Sequence, residues 1–310
     1  MRIIFMGTPD FSVPCLEALI NSDNEVVGVF TQPDKPKGRG YELTPPPVKV
    51  CALEHNIPVF QPKSMKDGEA VSIINSLNAD LIIVVAFGKI LPKEVLYSVK
   101  YGSINIHASL LPKYRGAAPI QWSILNGESE TGVTSMQMNE GLDTGDMLIK
   151  KSVKITQNMS AGELHDELSK VGAKVLLETI DAVKNDTLNP IKQDDSLSNY
   201  ASMLSKSLCP TDFNKSAQEV HNHIRGLSPW PVATTKVNGK NLKLHKSFII
   251  DEKFNGEVGQ IVDNNNRLVV MCGDGNCIEL REVQLEGKKK MEAASLLRGH
   301  KIELGTILGE

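Results

Sequence analysis

The chain has 310 residues, of which 41% are hydrophobic and 23% charged, and its formal net charge at pH 7 is −3. This composition is typical of a globular protein and excludes a disordered chain, and the length favours two domains over one. The charge balance is too even to indicate a protein that binds nucleic acid chiefly through phosphates, so it leaves that question open.

Segment hydropathy and cysteine usage both favour the cytoplasm. No apolar run approaches the roughly 20 residues that cross a bilayer, and residues 1–7 are predicted as a first strand rather than a signal peptide. The five cysteines are odd in number and contain no close CxxC pair, so neither a disulfide framework nor a zinc site is indicated. We therefore expect a cytoplasmic protein with no membrane partner and no metal.

Strands and helices alternate through the first half of the chain. Residues 2–6 and 25–31 have strand-like patterns on either side of a helix-like segment at 11–21. Residues 80–86 form a continuous apolar run, which is typical of the middle of a parallel sheet. The alternation predicts βαβ units.

A long connection, residues 32–47, follows the second predicted strand and far exceeds the usual two to six residues. It carries Lys35, Lys37 and Arg39 on a backbone rich in proline and glycine. One interpretation is an exposed basic finger with a function, and the other is a solvated insertion.

The most informative segment is residues 102–112, where polar and apolar side chains alternate and then meet a proline-bearing loop. Residues two apart share one face of a strand, so Asn105 and His107 are predicted to lie side by side. An isolated histidine in a strand is commonly a hydrogen-bonded structural residue. The neighbouring amide and Asp143, in a glycine-flanked loop between strand-like runs at 132–138 and 147–155, favour a catalytic cluster.

The second half changes from helices to short strands broken by turns. Helices are predicted at 117–126, at 160–184 with Ser160 and Glu163 in capping-box spacing, and at 216–225. A linker is expected within 185–208, and the later strands indicate a small barrel or sandwich.

Several familiar sites are not supported. The turn after the first strand is not GxGxxG, and no P-loop motif occurs. His221 and His223 are two apart on a predicted helix and therefore diverge, which argues against a shared metal.

Several motifs together resemble the folate-dependent formyltransferases, and within them the methionyl-tRNA formyltransferase family. The resemblance covers essentially the whole chain. The segments that carry it are Asn105-x-His107 with Ser109-Leu110-Leu111-Pro112, Asp143 in Gly-Leu-Asp-Thr-Gly-Asp, and the stretches 7–14, 86–92, 113–120, 227–231 and 287–291.

The resemblance implies a doubly wound, Rossmann-like α/β formyltransferase domain followed by a small OB-like β-barrel domain. We place the folate-binding catalytic domain at 1–188, a linker at 189–206 and a tRNA-binding barrel at 207–310. The implied reaction moves the formyl group of 10-formyltetrahydrofolate to the amino group of methionine on initiator methionyl-tRNA. A monomer is the default expectation.

Site residues follow from the resemblance and from position in the fold. By resemblance, Asn105, His107 and Asp143 match the catalytic residues, Ser109, Leu110, Leu111 and Pro112 match a folate-contacting turn, and Arg39 matches a segment that contacts the tRNA acceptor end. Position at the end of the buried strand adds Phe87, Gly88, Ile90 and Leu91 as folate contacts, although each also fits ordinary core. Positive charge adds Lys37, Lys206, Lys288 and Lys289 for tRNA, although the lysine run at 288–290 also fits a solvated face.

Formyl transfer to an amine passes through a tetrahedral oxyanion, so hydrogen-bond donors must point at that oxygen. We assign Asn105 and His107 as those donors. Asp143 is assigned to fix the imidazole and to help remove the proton from the attacking nitrogen.

Three functions remain open at this point. The favoured one is the tRNA formyltransferase. The second keeps the catalytic face but uses a small amine, such as a nucleotide sugar or glycinamide ribotide, or water as in a formylfolate hydrolase. The third is a non-enzymatic folate- or nucleotide-binding scaffold with an RNA-binding barrel. The basic insertion and second domain weigh against small acceptors, and the polar cluster weighs against the scaffold.

Overall fold

A computed structural model describes residues 1–37, 42–66 and 68–309 of the chain. The described residues form two compact units, one made of residues 1–116, 131–153 and 165–201 and the other of residues 117–130, 154–164 and 202–310. Both are therefore discontinuous in sequence, whereas the predicted domains were continuous. Residues 189–201, predicted as linker, lie in the first unit.

The first unit contains most of the predicted alternation of strands and helices. Its strands are β1 (Arg2–Gly7), β2 (Glu25–Phe30), β3 (Lys35–Lys37), β4 (Glu42–Thr44), β5 (Val59–Phe60), β6 (Leu81–Val85), β7 (Ser103–His107), β8 (Arg115–Gly116), β9 (Glu130–Gln137), β10 (Met147–Lys154) and β11 (Tyr200–Ala201). Its helices are α1 (Val13–Ile20), α2 (Pro47–Glu54), α3 (Gly68–Ser76), α4 (Lys93–Leu96) and most of α6 (Ala161–Lys184).

Seven strands form the main sheet in the order β10-β9-β7-β6-β1-β2-β5. The pairs β6·β7, β1·β6, β1·β2 and β2·β5 are parallel, and β7·β9 is antiparallel. Strand order reverses between β1 and β6, the position at which open α/β sheets bind ligands beyond their carboxyl ends. The doubly wound prediction is confirmed.

The central strand β6 is buried at all five positions, as its continuous apolar run predicts. The predicted helix at 11–21 begins with a 3₁₀ turn, Asp10–Ser12, before α1. The connection after β2 contains a short hairpin of β3 and β4, which was predicted only as a loop.

The second unit contains α5 (Pro119–Leu125), α7 (Ala217–Gly226), α8 (Ala293–Gly299) and a curled antiparallel sheet. Its strands are β12 (Ala233–Val237), β13 (Lys240–Ile250), β14 (Ile261–Asp263), β15 (Leu268–Met271), β16 (Cys277–Leu285) and β17 (Met291–Glu292), in the order β12-β13-β16-β15-β14 with β17 beside β16. The capping box predicted for α6 is present: the Ser160 backbone N–H donates to Glu163 Oε2, and the Glu163 N–H donates to Ser160 Oγ.

The segment after α8 joins the two end strands of this sheet. The N–H of Ile261 in β14 donates to the Thr306 carbonyl at 2.8 Å, and the N–H of Gly305 returns to the Ile261 carbonyl at 2.9 Å. At the other end, the Gly309 N–H donates to the Lys236 carbonyl of β12 at 2.9 Å. Residues 305–309 thus bridge β14 and β12, which supports a barrel-like arrangement.

A buried histidine makes the second unit sensitive to acid. His221 is 1% exposed, its Nε2 lies 2.9 Å from the Gln157 carbonyl and its Nδ1 lies 2.9 Å from Ser247 Oγ. Since a carbonyl only accepts, Nε2 carries the proton and Nδ1 accepts from the hydroxyl, which satisfies the neutral ring. Burial lowers the pKa of His221.

We therefore expect the free energy of unfolding to fall as the pH drops below 6.5, the ordinary histidine value. In that range the unfolded chain binds a proton at this position that the folded chain does not, which costs at most about 1.4 kcal/mol per pH unit. Both tryptophans, Trp122 and Trp230, lie in this unit, so urea unfolding followed by tryptophan fluorescence reports on it.

The control is His221→Gln, whose amide can repeat both hydrogen bonds without titrating. It should reduce the loss of stability between pH 6.5 and 5, and the part that remains is expected from His223 and His245, whose pKa values burial also lowers. An unchanged pH dependence in that variant would show that His221 does not cause it.

Candidate active site

Strand β7 places two of the predicted catalytic side chains on one face. Asn105 pairs in register with Val84 of β6, and His107 is the last residue of the strand. Ile104 and Ile106 point to the opposite face and are 0% and 2% exposed. The polar pair therefore lies at the carboxyl end of a parallel strand, where ligand sites of this fold class occur.

The His107 ring is oriented by a backbone group rather than by a side chain. Its Nε2 lies 2.9 Å from the carbonyl oxygen of Tyr114, and because a carbonyl only accepts, Nε2 carries a proton. The other nitrogen, Nδ1, lies 3.8 Å from Asp143 Oδ2. Nδ1 is therefore the ring atom that faces the cluster.

The Asp143 carboxylate is held from two sides. The backbone N–H of Gly116 donates to Oδ2 at 2.9 Å, and the Asn105 amide Nδ2 lies 3.5 Å from Oδ1, a long hydrogen bond. Asp143 has a φ of 53°, in the left-handed region that aspartate tolerates better than most residues. The Asp143 side chain is 13% exposed and that of His107 is 7% exposed.

The three predicted residues therefore come together in the first unit. An amide and an imidazole supply two donors when the ring is protonated, and a largely buried carboxylate supplies an acceptor. The low exposure strengthens electrostatic interactions between these groups and any substrate charge that develops beside them. Such a set can stabilise an oxyanion and accept a proton.

The side chains of Thr134 and Lys150 hold the turn after β7 through hydrogen bonds to the backbone of the turn. Thr134 Oγ1 donates to the Ser109 carbonyl at 2.7 Å and accepts from the Leu111 N–H, while Lys150 Nζ donates to the Leu111 carbonyl at 2.7 Å. Burial lowers the pKa of Lys150. The Ser109 and Leu111 side chains are buried, so the half-buried Leu110 and Pro112 are the members of this predicted folate turn with side-chain surface to offer.

In the loop after β6, too, some of the predicted folate residues are buried and others are exposed. Phe87 and Leu91 are 1% and 5% exposed and pack in the core, whereas Gly88 and Ile90 are exposed, Ile90 at 78%. Gln32 Nε2 donates to the Phe87 and Gly88 carbonyls and so supports the loop. Of the four predicted folate residues in this loop, Gly88 and Ile90 are exposed to a ligand, and Phe87 and Leu91 are buried in the core.

The predicted tRNA contacts are distributed over both units. Arg39 lies outside the described residues, and so does the side chain of Lys37 at the end of β3. In the second unit, Lys206 begins a 3₁₀ turn, and Lys288 and Lys289 lie in the turn before β17; all three are exposed. Among the described residues, no cluster of three or more His, Cys, Asp or Glu side chains is arranged to hold a metal ion.

Three groups around this site were not predicted from the sequence. The Tyr114 carbonyl and the Gly116 N–H are backbone groups that any residue would supply, so side-chain identity gives no signal for them. Gln193, which is 6% exposed and donates to the Asp143 carbonyl at 2.8 Å, lies 50 residues away in a predicted linker. Gly116 has a positive φ of 115°, and the glycine at this position is the one feature of the sequence that indicates it.

Comparison with known proteins finds relatives over the whole chain. The Formyl transferase family model matches residues 1–180, and the model of the formyl transferase C-terminal domain matches residues 203–301. The chain is 50% identical to the methionyl-tRNA formyltransferase of Alkaliphilus oremlandii over 310 residues, with all of both chains covered. It is 48% identical to that of Clostridioides difficile, again over the whole of both chains.

The chain belongs to the methionyl-tRNA formyltransferase family. This confirms the family predicted from the sequence and establishes the chain as a formyltransferase. The inert scaffold is thereby excluded.

Solved structures share the fold at lower identity. WlaRD, a sugar 3N-formyl transferase crystallised in the presence of dTDP and 5-N-formyl-THF, is 24% identical, with a TM-score of 0.69 over 93% of this chain and 99% of that one. HypX from Aquifex aeolicus, in complex with tetrahydrofolic acid, is 18% identical, with a TM-score of 0.63 over 96% of this chain and 47% of that one. Among the described residues, no helix has the length and apolar character needed to span a membrane.

Proposed function

We propose that this formyltransferase moves the formyl group of 10-formyltetrahydrofolate to the α-amino group of initiator methionyl-tRNA, using Asn105, His107 and Asp143. Membership of the family establishes formyl transfer to methionyl-tRNA. The single observation that carries the site assignment is the convergence of an amide, an imidazole nitrogen and a carboxylate at the carboxyl end of β7.

The reaction forms a bond from the methionyl nitrogen to the formyl carbon and breaks the bond from that carbon to the folate nitrogen. Between these events the formyl oxygen carries a negative charge. Asn105 Nδ2 and protonated His107 Nδ1 are the donors that this site offers to that oxygen. Asp143 stabilises the imidazolium and receives, directly or through water, the proton that the attacking nitrogen loses; the departing folate nitrogen takes up a proton.

The demanding proton transfer comes after attack. An α-amino group has a reference pKa near 7.7, so roughly one amine in six is already neutral at pH 7. Once the nitrogen has bonded to carbon it is positively charged and must lose a proton before the intermediate collapses. A carboxylate beside an imidazole suits that step.

We assign the folate donor to the loops that follow β6 and β7. Its pterin is flat and aromatic, so it needs apolar walls and backbone hydrogen-bonding groups. Ile90, Leu110 and Pro112 offer the apolar surface, and Gly88 is exposed, with its carbonyl bonded to Gln32 Nε2. The other predicted folate residues are buried and have no side-chain surface to offer: Phe87, Leu91, Ser109 and Leu111.

For the tRNA, the proposal assigns Arg39 and Lys37 to the acceptor end and Lys206, Lys288 and Lys289 to the phosphate backbone. The three lysines of the second unit are exposed. Lys290, which follows them, is already paired with Glu282 at 2.5 Å and is therefore not included.

Replacing Lys288 and Lys289 together by alanine should weaken tRNA binding and reduce its salt dependence. Each lost phosphate contact lowers the slope of log K against log salt by about 0.7 to 0.9. The measurement is a salt titration of tRNA affinity. The control is Lys301→Ala, because that lysine is exposed in the same unit and paired with Glu303. An unchanged slope in the double variant would remove both lysines from the interface.

The test of the function offers 10-formyltetrahydrofolate with one acceptor at a time: methionyl-initiator tRNA, a methionyl-elongator tRNA, glycinamide ribotide, an amino sugar nucleotide, and water alone. We expect rapid formylation of methionine on initiator tRNA. Formylation of a small amine with equal kcat/KM, or hydrolysis of the donor at the same rate without an acceptor, would contradict the proposal.

A further inference from the structure

We propose that Gln193 is a positioning residue for catalysis, which holds the loop of residues 138–146 so that Asp143 reaches Asn105 and His107. The inference rests on the proposed function because it assumes that Asp143 takes part in the reaction. The Gln193 amide Nε2 donates to the carbonyl of Asp143 at 2.8 Å and to the carbonyl of Gly145 at 2.7 Å. One side chain therefore holds both ends of the segment around Thr144.

The loop needs such support because of where it starts. Strand β9 is antiparallel to β7 and pairs Gln137 with Ile104, so the loop leaves β9 beside the amino end of β7. His107 is at the other end of that strand. The loop must fold back to bring Asp143 to Asn105, and Glu140, Gly141 and Leu142 are exposed on the way.

The backbone of this loop is also tightly constrained. Asp143 has a φ of 53°. A Cβ on Gly145 would lie 1.7 Å from the Gln137 carbonyl oxygen, so the chain passes against β9 only because this residue is glycine. Small changes of backbone angle here move the Asp143 carboxylate directly, and hydrogen bonds to the flanking carbonyls oppose such changes.

The orientation of the Gln193 amide is itself determined by a neighbour. Arg115 Nε donates to Gln193 Oε1 at 3.0 Å, and since arginine only donates, the amide oxygen faces Arg115 and the nitrogen faces the two carbonyls. Arg115 also pairs with Asp195 at 2.8 Å, but Asp195 is 84% exposed, so this outer pair contributes little. The influence on Asp143 therefore decreases in the order Gln193, Arg115, Asp195.

The same segment supports the other half of the site. Asn199 Oδ1 accepts from the Tyr114 N–H, and the Asn199 carbonyl accepts from the Arg115 N–H at 3.1 Å. Strand β11 then pairs in parallel with β8. Residues 193–201 thus hold residues 114–116, which carry both the Tyr114 carbonyl on His107 and the Gly116 N–H on Asp143. Residues 193–201, which were predicted as linker, therefore help to hold the catalytic cluster in place.

The test is Gln193→Met, which keeps the length and volume of the side chain and removes both donors. We expect kcat to fall by about 10- to 100-fold, since displacing a reacting group by about 1 Å costs up to that much. KM for both substrates should stay within about twofold, because the loop is held for the reaction rather than for binding. Arg115→Lys should lower kcat by less, and Asp195→Ala should leave it near the native value.

The matched control is Gln137→Met. The Gln137 amide also donates to two backbone carbonyls, those of Tyr101 and Ser103, at the end of β7 away from His107. It should cost stability with little change in kcat. If Gln193→Met does not fold, Gln193→Glu decides the matter, because it removes both donors and keeps the acceptor for Arg115, and a native kcat in that variant would overturn the proposal.

A double-mutant cycle with Asp143→Ala separates positioning from general stability. If Gln193 acts through Asp143, then Gln193→Met should cause no further loss of kcat once the carboxylate is gone. Losses that multiply would overturn the positioning role, as would a native kcat in a folded Gln193→Met variant. Near-native kcat for Asp143→Ala alone would instead overturn the proposed catalytic assignment, so the two failures are distinguishable.

Discussion

Asp143→Asn is expected to lower kcat by about 10²- to 10⁴-fold, the range that a positioned general acid or base contributes. The Gly116 N–H requires an acceptor, so the oxygen of the new amide should remain on that side. Its nitrogen then faces the Asn105 amide nitrogen, so two donors face each other where the native pair has a donor and an acceptor. The variant also loses the negative charge beside His107 and the acceptor for the proton of the attacking amine.

Steady-state kinetics with methionyl-initiator tRNA at saturating donor measures this change. Asp146→Asn is the matched control, because it makes the same chemical change three residues further along the same loop and Asp146 is exposed. Thermal unfolding should show both variants folded. A kcat within threefold of the native value for Asp143→Asn would contradict the assignment.

Asn105→Ala is expected to lower kcat by about 10²- to 10³-fold, the cost of removing one oxyanion donor. The Asn105 side chain makes one long hydrogen bond, at 3.5 Å, and is partly exposed, so the fold loses little when it is removed. The effect should therefore appear in kcat rather than in stability. Because the interaction forms only as negative charge develops, KM should change far less than kcat.

A second substitution sharpens this result. Asn105→Asp keeps the shape but replaces the donor with a carboxylate that repels both the oxyanion and Asp143, so it should be at least as inactive as Asn105→Ala. Near-native turnover by a folded Asn105→Ala variant would remove this residue from the mechanism.

Much of the fold could be predicted from the sequence because its signals are local. The continuous apolar run of β6 indicates a strand buried on both faces, and the alternation in β7 indicates which side chains share a face. Those two signals put Asn105 and His107 side by side. The capping box at Ser160 and Glu163 likewise depends on residues three apart.

The remaining parts of the site depend on contacts that no local pattern reveals. Nothing in the sequence around Gln193 indicates that its amide reaches the carbonyl of Asp143, 50 residues away. The antiparallel direction of β9 could not be anticipated either, and with it the need for the loop to fold back. The four predicted folate residues after β6 were chosen by position alone, which does not separate exposed Ile90 from buried Phe87.

The bridge made by residues 305–309 has a consequence for how this protein behaves at high concentration. Without it, the outer edge of β14 would present unsatisfied backbone donors and acceptors, and such edges recruit strands from other molecules. Residues 305–309 occupy that edge within the same chain, and Thr234 of β12 is bonded by the backbone of Cys209 and Thr211, so the second unit is expected to resist intermolecular strand addition. Any fusion or affinity handle placed after residues 305–309 must leave those pairings undisturbed.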